Sequence, residues 1–258
     1  MKHSADLIPG TVTLVGGGPG DPGLVTVAGL QAVQQADVIL YDRLAPQDIM
    51  DENPSAEKIP VGKVPRGKYV PQEETNLLLV EHAQQGKKVV RLKGGDSFVF
   101  GRGGEEWQAC AAAGVPVRII PGVTSCVAGP ELAGVPLTHR HMVQGFTVVS
   151  GHVAPGDTRS ELDWAQIAKT GTTLVILMGV AHIGDIAARL MEGGLAGDTP
   201  VAVVADASLF TQRSLTTTLE KAAEDMVEAG IKPPAITVVG DVAGLDLDET
   251  RVHEPSDH

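Results

Sequence analysis

Thr11-Val12-Thr13-Leu14-Val15-Gly16-Gly17-Gly18-Pro19-Gly20-Asp21-Pro22-Gly23 is a short β-branched and apolar run that ends in a glycine- and proline-rich loop. Such a run reads as a strand that delivers the chain into a tight turn. Beyond it, residues 26–35 have helical spacing, with Thr26 placed to cap the helix and Val27, Leu30 and Val33 recurring along it. Residues 37–41 read as the next strand, and 72–85 as a helix closed by Gly86. Residues 88–92 then form a buried-strand run leading into a second glycine cluster, Gly94-Gly95-Asp96. The alternation continues with a helix over 105–113 and a strand over 117–120. This rhythm belongs to a mainly parallel α/β domain, whose ligands lie beyond the carboxyl ends of the strands.

Between Pro121 and Phe146 the pattern turns small and irregular, with Gly122, Gly129, Pro130, Gly134 and Pro136 interrupting short apolar pieces. A domain junction is placed there. The division gives an N-terminal α/β domain over 10–136, a C-terminal α/β domain over 137–245 and an acidic tail over 246–258 that is expected to fray. In the second domain, strands are read at 147–150, 172–178, 201–205 and 235–239, and helices at 181–192 and 219–229. Periodicity leaves open whether its last two strands are parallel or antiparallel. No internal repeat is convincing.

The chain of 258 residues is 43% hydrophobic and 20% charged, enough to bury a core and too apolar for a disordered chain. Its net charge of −12 repels nucleic acid, and two Trp, two Tyr and four Phe are too few for a base-stacking platform. Cys110 and Cys126 show no metal or disulfide spacing and read as buried thiols in a reducing compartment. The N-terminus lacks the basic start and apolar core of a signal peptide, and no apolar run is long enough to span a membrane. A soluble, cytoplasmic protein is expected.

Gly18-x-Gly20-x-x-Gly23 follows a strand, and Asp42 lies 19 residues beyond Gly23 at the end of the next one, a formal match to a dinucleotide fingerprint. Pro19 and Pro22, however, remove amide donors that would cradle a pyrophosphate, and Asp21 places a negative charge beside the anion. The loop suits a ligand without phosphate; taken alone, it is equally readable as a structural turn.

Several further motifs occur in order: Tyr41-Asp42-Arg43-Leu44, Val61-Gly62-Lys63, Pro71-Gln72-Glu73-Glu74-Thr75-Asn76, Val90-Arg91-Leu92-Lys93-Gly94-Gly95-Asp96 and Phe100-Gly101-Arg102-Gly103-Gly104-Glu105-Glu106. They continue with Pro121-Gly122-Val123-Thr124-Ser125, Gly134-Val135-Pro136-Leu137-Thr138-His139-Arg140, Ser150-Gly151-His152 and Met178-Gly179. With the first loop, this series resembles the uroporphyrinogen-III C-methyltransferases of the tetrapyrrole methylase family, over about residues 11–240. Gly17 stands where the family commonly has alanine, a change a turn tolerates.

The resemblance implies the tetrapyrrole methylase fold: two α/β domains with the active site in the cleft between them, usually in a homodimer. It implies S-adenosylmethionine as methyl donor and methylation of uroporphyrinogen III at C2 and C7, through precorrin-1 to precorrin-2, on the branch toward sirohaem and cobalamin. Position by position it implies cofactor contacts at Pro19, Gly94, Gly95, Asp96, Val99, Thr124, Ser125, Met178, Ala207 and Ala235. Ser125 replaces a common alanine and Ala207 a common glycine, so backbone contacts are expected there. Asp96 is expected to hold the amino group or a ribose hydroxyl, or else to organise the turn after Gly94-Gly95. Asp42 matches the family's proton acceptor and Lys63 its proton donor, roles open to both if the site tunes them.

Residues 58–102 hold nine basic residues (Lys58, Lys63, Arg66, Lys68, Lys87, Lys88, Arg91, Lys93, Arg102) against four acidic ones (Glu73, Glu74, Glu81, Asp96). This local excess could hold a polycarboxylate such as uroporphyrinogen III on an otherwise acidic protein, with Arg102 as the best candidate for a carboxylate clamp. Lys87 and Lys88 follow a helix C-terminus and read as ordinary surface charges. The histidines suggest no metal site; His139 and His141 lack an evident third ligand. The match fills the chain, so no dehydrogenase-chelatase module, and neither precorrin-2 oxidation nor iron insertion, is expected. Two other readings stay open: a later precorrin methyltransferase of the same fold, against which Val61-Gly62-Lys63 and residues 71–74 speak, and a dinucleotide-binding regulatory module built on the first loop.

Overall fold

The computed structural model describes residues 6–62, 70–245 and 247. The chain divides into two compact units between Ser125 and Cys126, inside the irregular stretch over 121–146.

In the first unit, β1 (Thr11–Gly16), β2 (Val38–Tyr41), β3 (Glu57–Pro60), β4 (Lys88–Lys93) and β5 (Val117–Ile120) form one sheet in the order β3-β2-β4-β1-β5. Every neighbouring pair is parallel. Parallel strands need crossovers: α1 (Val27–Gln35), α2 (Gln72–Gln84) and α3 (Gly103–Ala112) supply three of the four, and a 3₁₀ segment over Gln47–Glu52 lies in the connection from β2 to β3. Thr26 caps α1 as expected, its Oγ1 accepting from Gly29 N at 3.1 Å.

Both faces of this sheet are covered, so its inner strands carry near-continuous apolar runs. Val15, Ile39, Val90 and Leu92 join Ala32 and Val33 of α1 on one face. Val12, Leu14, Val38, Leu40 and Val89 join Leu79 and Ala83 of α2 and Cys110 of α3 on the other. Each fully buried aliphatic side chain contributes about 1.5–3 kcal/mol. Strand alternation then puts Arg91 and Lys93 on the same face as Val89, beneath α2 and α3. Both are buried.

The second unit holds β6 (Phe146–Ser150), β7 (Thr173–Leu177), β8 (Pro200–Ala205), β9 (Arg213–Thr218) and β10 (Ala235–Val239), in the order β6-β7-β10-β8-β9. Only β6 and β7 run parallel; β10 is antiparallel to both β7 and β8, which settles the orientation that periodicity left open. Helices α4 (Ser125–Leu132), α5 (Trp164–Ile167), α6 (Ile183–Glu192) and α7 (Ala222–Glu228) complete the count among the described residues.

Four of these elements are absent from the sequence reading: α4, β3, β9 and the four-residue α5, which is too short to show a helical period. The stretch read as irregular contains α4, despite Gly129 and Pro130 within it. A Cβ on Gly129 would meet Ile236 Cδ1 at 2.4 Å, so tertiary packing of a small residue outweighs its poor helix propensity. β3 and β9 are sheet-edge strands with mostly half-exposed or exposed residues, so neither shows a buried alternation.

Candidate functional site

The carboxyl ends of β1, β4 and β5 meet backbone against backbone. A Cβ on Gly122 would lie 2.4 Å from Gly95 O and 2.5 Å from Gly16 C, and one on Gly16 would lie 2.4 Å from Gly122 N. Gly17 N donates to Lys93 O (2.7 Å), while Gly18 and Gly95 exchange bonds, Gly18 N to Gly95 O at 3.1 Å and Gly95 N to Gly18 O at 2.6 Å. Pro19, Gly94, Gly95, Asp96, Val99 and Thr124 therefore all stand on loops leaving this edge of the first unit's sheet, and Ser125 opens α4 directly after the last of them.

Asp96 braces these loops. Its Oδ1 accepts from Phe98 N (2.8 Å) and Val99 N (3.2 Å), and its Oδ2 from Gly122 N (3.2 Å). Of the two roles open to Asp96, turn organiser is the one its hydrogen bonds display. Phe100 (φ 54°) and Arg102 (φ 59°) both adopt left-handed backbone as the chain enters α3. Such conformations in non-glycine residues persist where surrounding structure enforces them.

The first glycine loop is not built as a pyrophosphate cradle. Asp21 Oδ1 already accepts from Gly23 N (2.7 Å) and caps a short 3₁₀ turn, and α1 begins only at Val27, its cap filled by Thr26. Proline-poor amides and a free helix N-terminus are what a diphosphate requires. Backbone carbonyls and carboxylates instead suit a ligand with an ammonium, a sulfonium and ribose hydroxyls.

In the second unit, Met178 follows β7, Ala207 follows β8 and Ala235 opens β10. Leu177 pairs with Ile236 and Ala205 with Ala235, so these three positions share one end of that sheet. Met178 has φ 58° and is half-exposed, whereas Ala207 and Ala235 are buried.

Asp42, directly after β2, faces the buried cations of β4. Arg91 Nη2 donates to Asp42 Oδ1 at 2.5 Å, Arg91 Nε to Glu106 Oε1 at 2.8 Å, and Lys93 Nζ to Glu106 Oε1 at 3.0 Å. Lys93 Nζ stands 3.7 Å from Asp42 Oδ2, and Gln72 Nε2 donates to Glu106 Oε1 at 3.3 Å. Side-chain exposure is 4% for Arg91, 2% for Lys93 and 0% for Glu106, against 31% for Asp42. Burial opposes the charge on Arg91, but Asp42 and Glu106 outweigh it and raise its pKa. For Lys93, burial and then the repulsion of Arg91 prevail over both carboxylates, and its pKa is lowered. Burial, followed by the charge of Glu106, pushes the Cys110 thiol up to about 11.

Arg91, Lys93 and Glu106 had no site role in the sequence reading. Arg91 and Lys93 stood among the basic residues of a polycarboxylate-binding stretch, which their burial under two helices corrects: both are spent on internal carboxylates. The available signal was two cations at i and i+2 in a strand otherwise rich in buried aliphatics. Arg102 is half-exposed and forms a bidentate pair with Glu105, Nε to Oε2 at 2.9 Å and Nη2 to Oε1 at 3.2 Å. Lys87 pairs with Glu57 at 3.1 Å. Lys63 lies outside the described residues. Among the described residues no group of three or more His, Cys, Asp or Glu could hold a metal ion, and no helix is long and apolar enough to cross a membrane.

The first unit thus combines a parallel α/β sheet, glycine-built loops at its carboxyl edge and a carboxylate held by buried cations. The family of Tetrapyrrole (Corrin/Porphyrin) Methylases matches residues 11–223, and the chain belongs to it. It is 48% identical over 239 residues to a siroheme synthase of Photorhabdus laumondii, covering 92% of this chain and 50% of that relative, so the chain spans about half that relative's length. It is also 48% identical over 237 residues to an S-adenosyl-L-methionine-dependent uroporphyrinogen III methyltransferase of Methanosarcina barkeri, covering 92% of this chain and 93% of the relative. The uroporphyrin-III C-methyl transferase of Thermus thermophilus, solved with S-adenosyl homocysteine, aligns with TM-score 0.76 and 41% identity over 90% of this chain and 92% of that one.

Proposed function

We propose that the chain is an S-adenosylmethionine-dependent uroporphyrinogen-III C-methyltransferase that methylates C2 and C7, through precorrin-1 to precorrin-2, for sirohaem or cobalamin formation. The observation that carries this reading is the 48% identity to the Methanosarcina barkeri methyltransferase across 93% of its length. The loops bearing Pro19, Gly94, Gly95, Val99, Thr124 and Ser125, braced by Asp96, hold the cofactor through backbone groups. Met178, Ala207 and Ala235 carry the remaining contacts that the resemblance implies. Bound there, S-adenosylmethionine supplies an electrophilic methyl group on a sulfonium.

The pyrroles of the substrate are electron-rich, so the protein's main task is to orient them and exclude water, a contribution of about 7–11 kcal/mol in favourable cases. Arg102 meets a substrate carboxylate by exchanging it for Glu105. Asp42 accepts the proton lost from the methylated ring system, and Lys63 is the proton donor by resemblance. The assembly and location that go with this reading are a homodimer in the cytoplasm.

Anaerobic incubation of the purified chain with uroporphyrinogen III and S-adenosylmethionine tests the proposal. Precorrin-2 is the expected product; a tetrapyrrole recovered without added methyl groups, or turnover only on later precorrins, overturns it. In parallel titrations S-adenosylhomocysteine binds and NAD(H) does not.

A further inference from the structure

Four full charges converge beneath α2 and α3, and only one of them reaches the surface. Burying ions costs several kcal/mol each, and well-packed apolar residues often serve stability equally well. The cluster is therefore poorly explained as a device for stability alone. Its geometry is directional instead. Glu106 Oε1 takes three donors, from Arg91, Lys93 and Gln72, which fixes both cations from below. Arg91 is pinned further by Nη1 donating to Leu92 O (3.2 Å) and Leu40 O (3.5 Å). What remains of its fork, Nη2, is aimed at Asp42 Oδ1.

We infer that Arg91, Lys93 and Glu106 are positioning residues that hold Asp42 in one orientation as an anionic proton acceptor and return it to that state after each methyl transfer. This rests on the proposed role of Asp42. With Asp42 ionised, the two cations and two carboxylates balance. When the cationic ring system left by methylation gives up a proton from a neighbouring position, the electron pair of the broken bond stays on the ring system and neutralises it, and an O–H bond forms on Asp42. The buried cluster then carries one uncompensated positive charge, which favours release of that proton to solvent from the exposed carboxyl group. A reaction that methylates twice needs the same acceptor restored between steps.

Among the described residues, the charged groups paired with Asp42 are Arg91 and Lys93, and Glu106 acts on it through those two cations. Gln72 and the Cys110 thiol, neighbours of Glu106, stay neutral at working pH. A nearby cation favours the charged form of a carboxyl group and an anion competes for that cation, so removing Lys93 and removing Glu106 act in opposite senses.

The test is the acid limb of the kcat profile against pH. Lys93→Met moves the limb to higher pH by about one unit or more, whereas Glu106→Gln, which leaves both cations to Asp42, moves it to lower pH. Limbs that stay with the wild type, or that shift together, overturn the inference, because general structural damage lowers kcat without opposite shifts. Arg91→Lys keeps the charge and loses the fork: kcat falls about tenfold or more while KM for both substrates stays within about threefold. An unchanged kcat in Arg91→Lys also overturns the inference, and this holds even if one of the other two variants fails to fold. Asp42→Asn separates the two proposals. If it retains wild-type kcat, the reading of Asp42 itself fails; if it is inactive and the limbs do not move, only the role given to the triad fails.

Discussion

Gly122→Ala is the most direct perturbation of the crossing on which the site is built. The new methyl would stand 2.4 Å from Gly95 O, 2.5 Å from Gly16 C and 2.6 Å from Gly16 Cα, all of them backbone atoms with no rotamer to yield. Relief requires the loop after β5 to withdraw by roughly 1 Å, and overpacking of this kind costs about 1–3 kcal/mol, occasionally more. Withdrawal also lengthens the Gly122 N to Asp96 Oδ2 bond, at 3.2 Å in the native loop, worth about another 1 kcal/mol. The expected loss is about 3 kcal/mol, which lowers Tm by roughly 10 °C for a unit of this size. Gly104→Ala is the matched control: nothing lies within 4 Å of its Cβ position and it sits in the first turn of α3, so alanine raises stability by up to about 1 kcal/mol. Urea unfolding reads the stability of both variants, and calorimetry with S-adenosylhomocysteine reads the loops, with Gly122→Ala weakening binding and Gly104→Ala retaining the fold. A Gly122→Ala protein within about 0.5 kcal/mol of wild type refutes the account of the crossing.

Two further expectations come from single residues. Asp96→Asn retains an acceptor for Phe98 N and Val99 N but turns a donor amide toward Gly122 N, so affinity for S-adenosylhomocysteine falls by about tenfold or more in calorimetry; unchanged affinity means that the brace does not shape the cofactor loops. Cys110, with its thiol pushed up to about 11, presents about a hundredfold less thiolate at pH 8 than an ordinary cysteine. Native protein is accordingly slow to react there with a disulfide reagent, as mass spectrometry of the labelled peptide would show. The same raised pKa removes stability as pH climbs from about 9 toward 11, because the unfolded thiol releases its proton first.

The first unit was legible because parallel strands buried on both faces leave continuous aliphatic runs, each ending in glycine where loops must approach closely. That logic placed β1, β2, β4 and β5 and the loops carrying Pro19, Asp42, Gly94 and Asp96. It had no purchase on β3 and β9, edge strands with little buried surface, nor on α4, whose Gly129 is dictated by Ile236 from a distant strand. Arg91 and Lys93 were misjudged for a related reason. Their alternation with Val89 was visible, but their burial depends on Glu106, which arrives from another element and leaves no local trace beside them. Nonlocal partners decide whether a cation belongs to the surface or to the interior.

This changes how an acidic protein of net charge −12 would hold a polycarboxylate. Of the basic residues between 58 and 102, Arg91 and Lys93 are committed internally, Lys58 faces Asp51 and Lys87 faces Glu57. Arg102 is paired with Glu105. Lys63, Arg66 and Lys68 lie outside the described residues. Under the proposed clamp, therefore, a substrate carboxylate at Arg102 would replace a protein carboxylate and would not meet a bare charge. Such an exchange trades one charge-assisted pair for another of similar strength, so its net gain is far below the gross value of either. What it does supply is geometry, since the guanidinium fork accepts a carboxylate in only a few orientations. For the proposed reaction this is the useful outcome. Tight binding of the ground state would raise the barrier to be crossed, whereas an orienting contact of modest net affinity presents the ring carbon without deepening the well from which it must react.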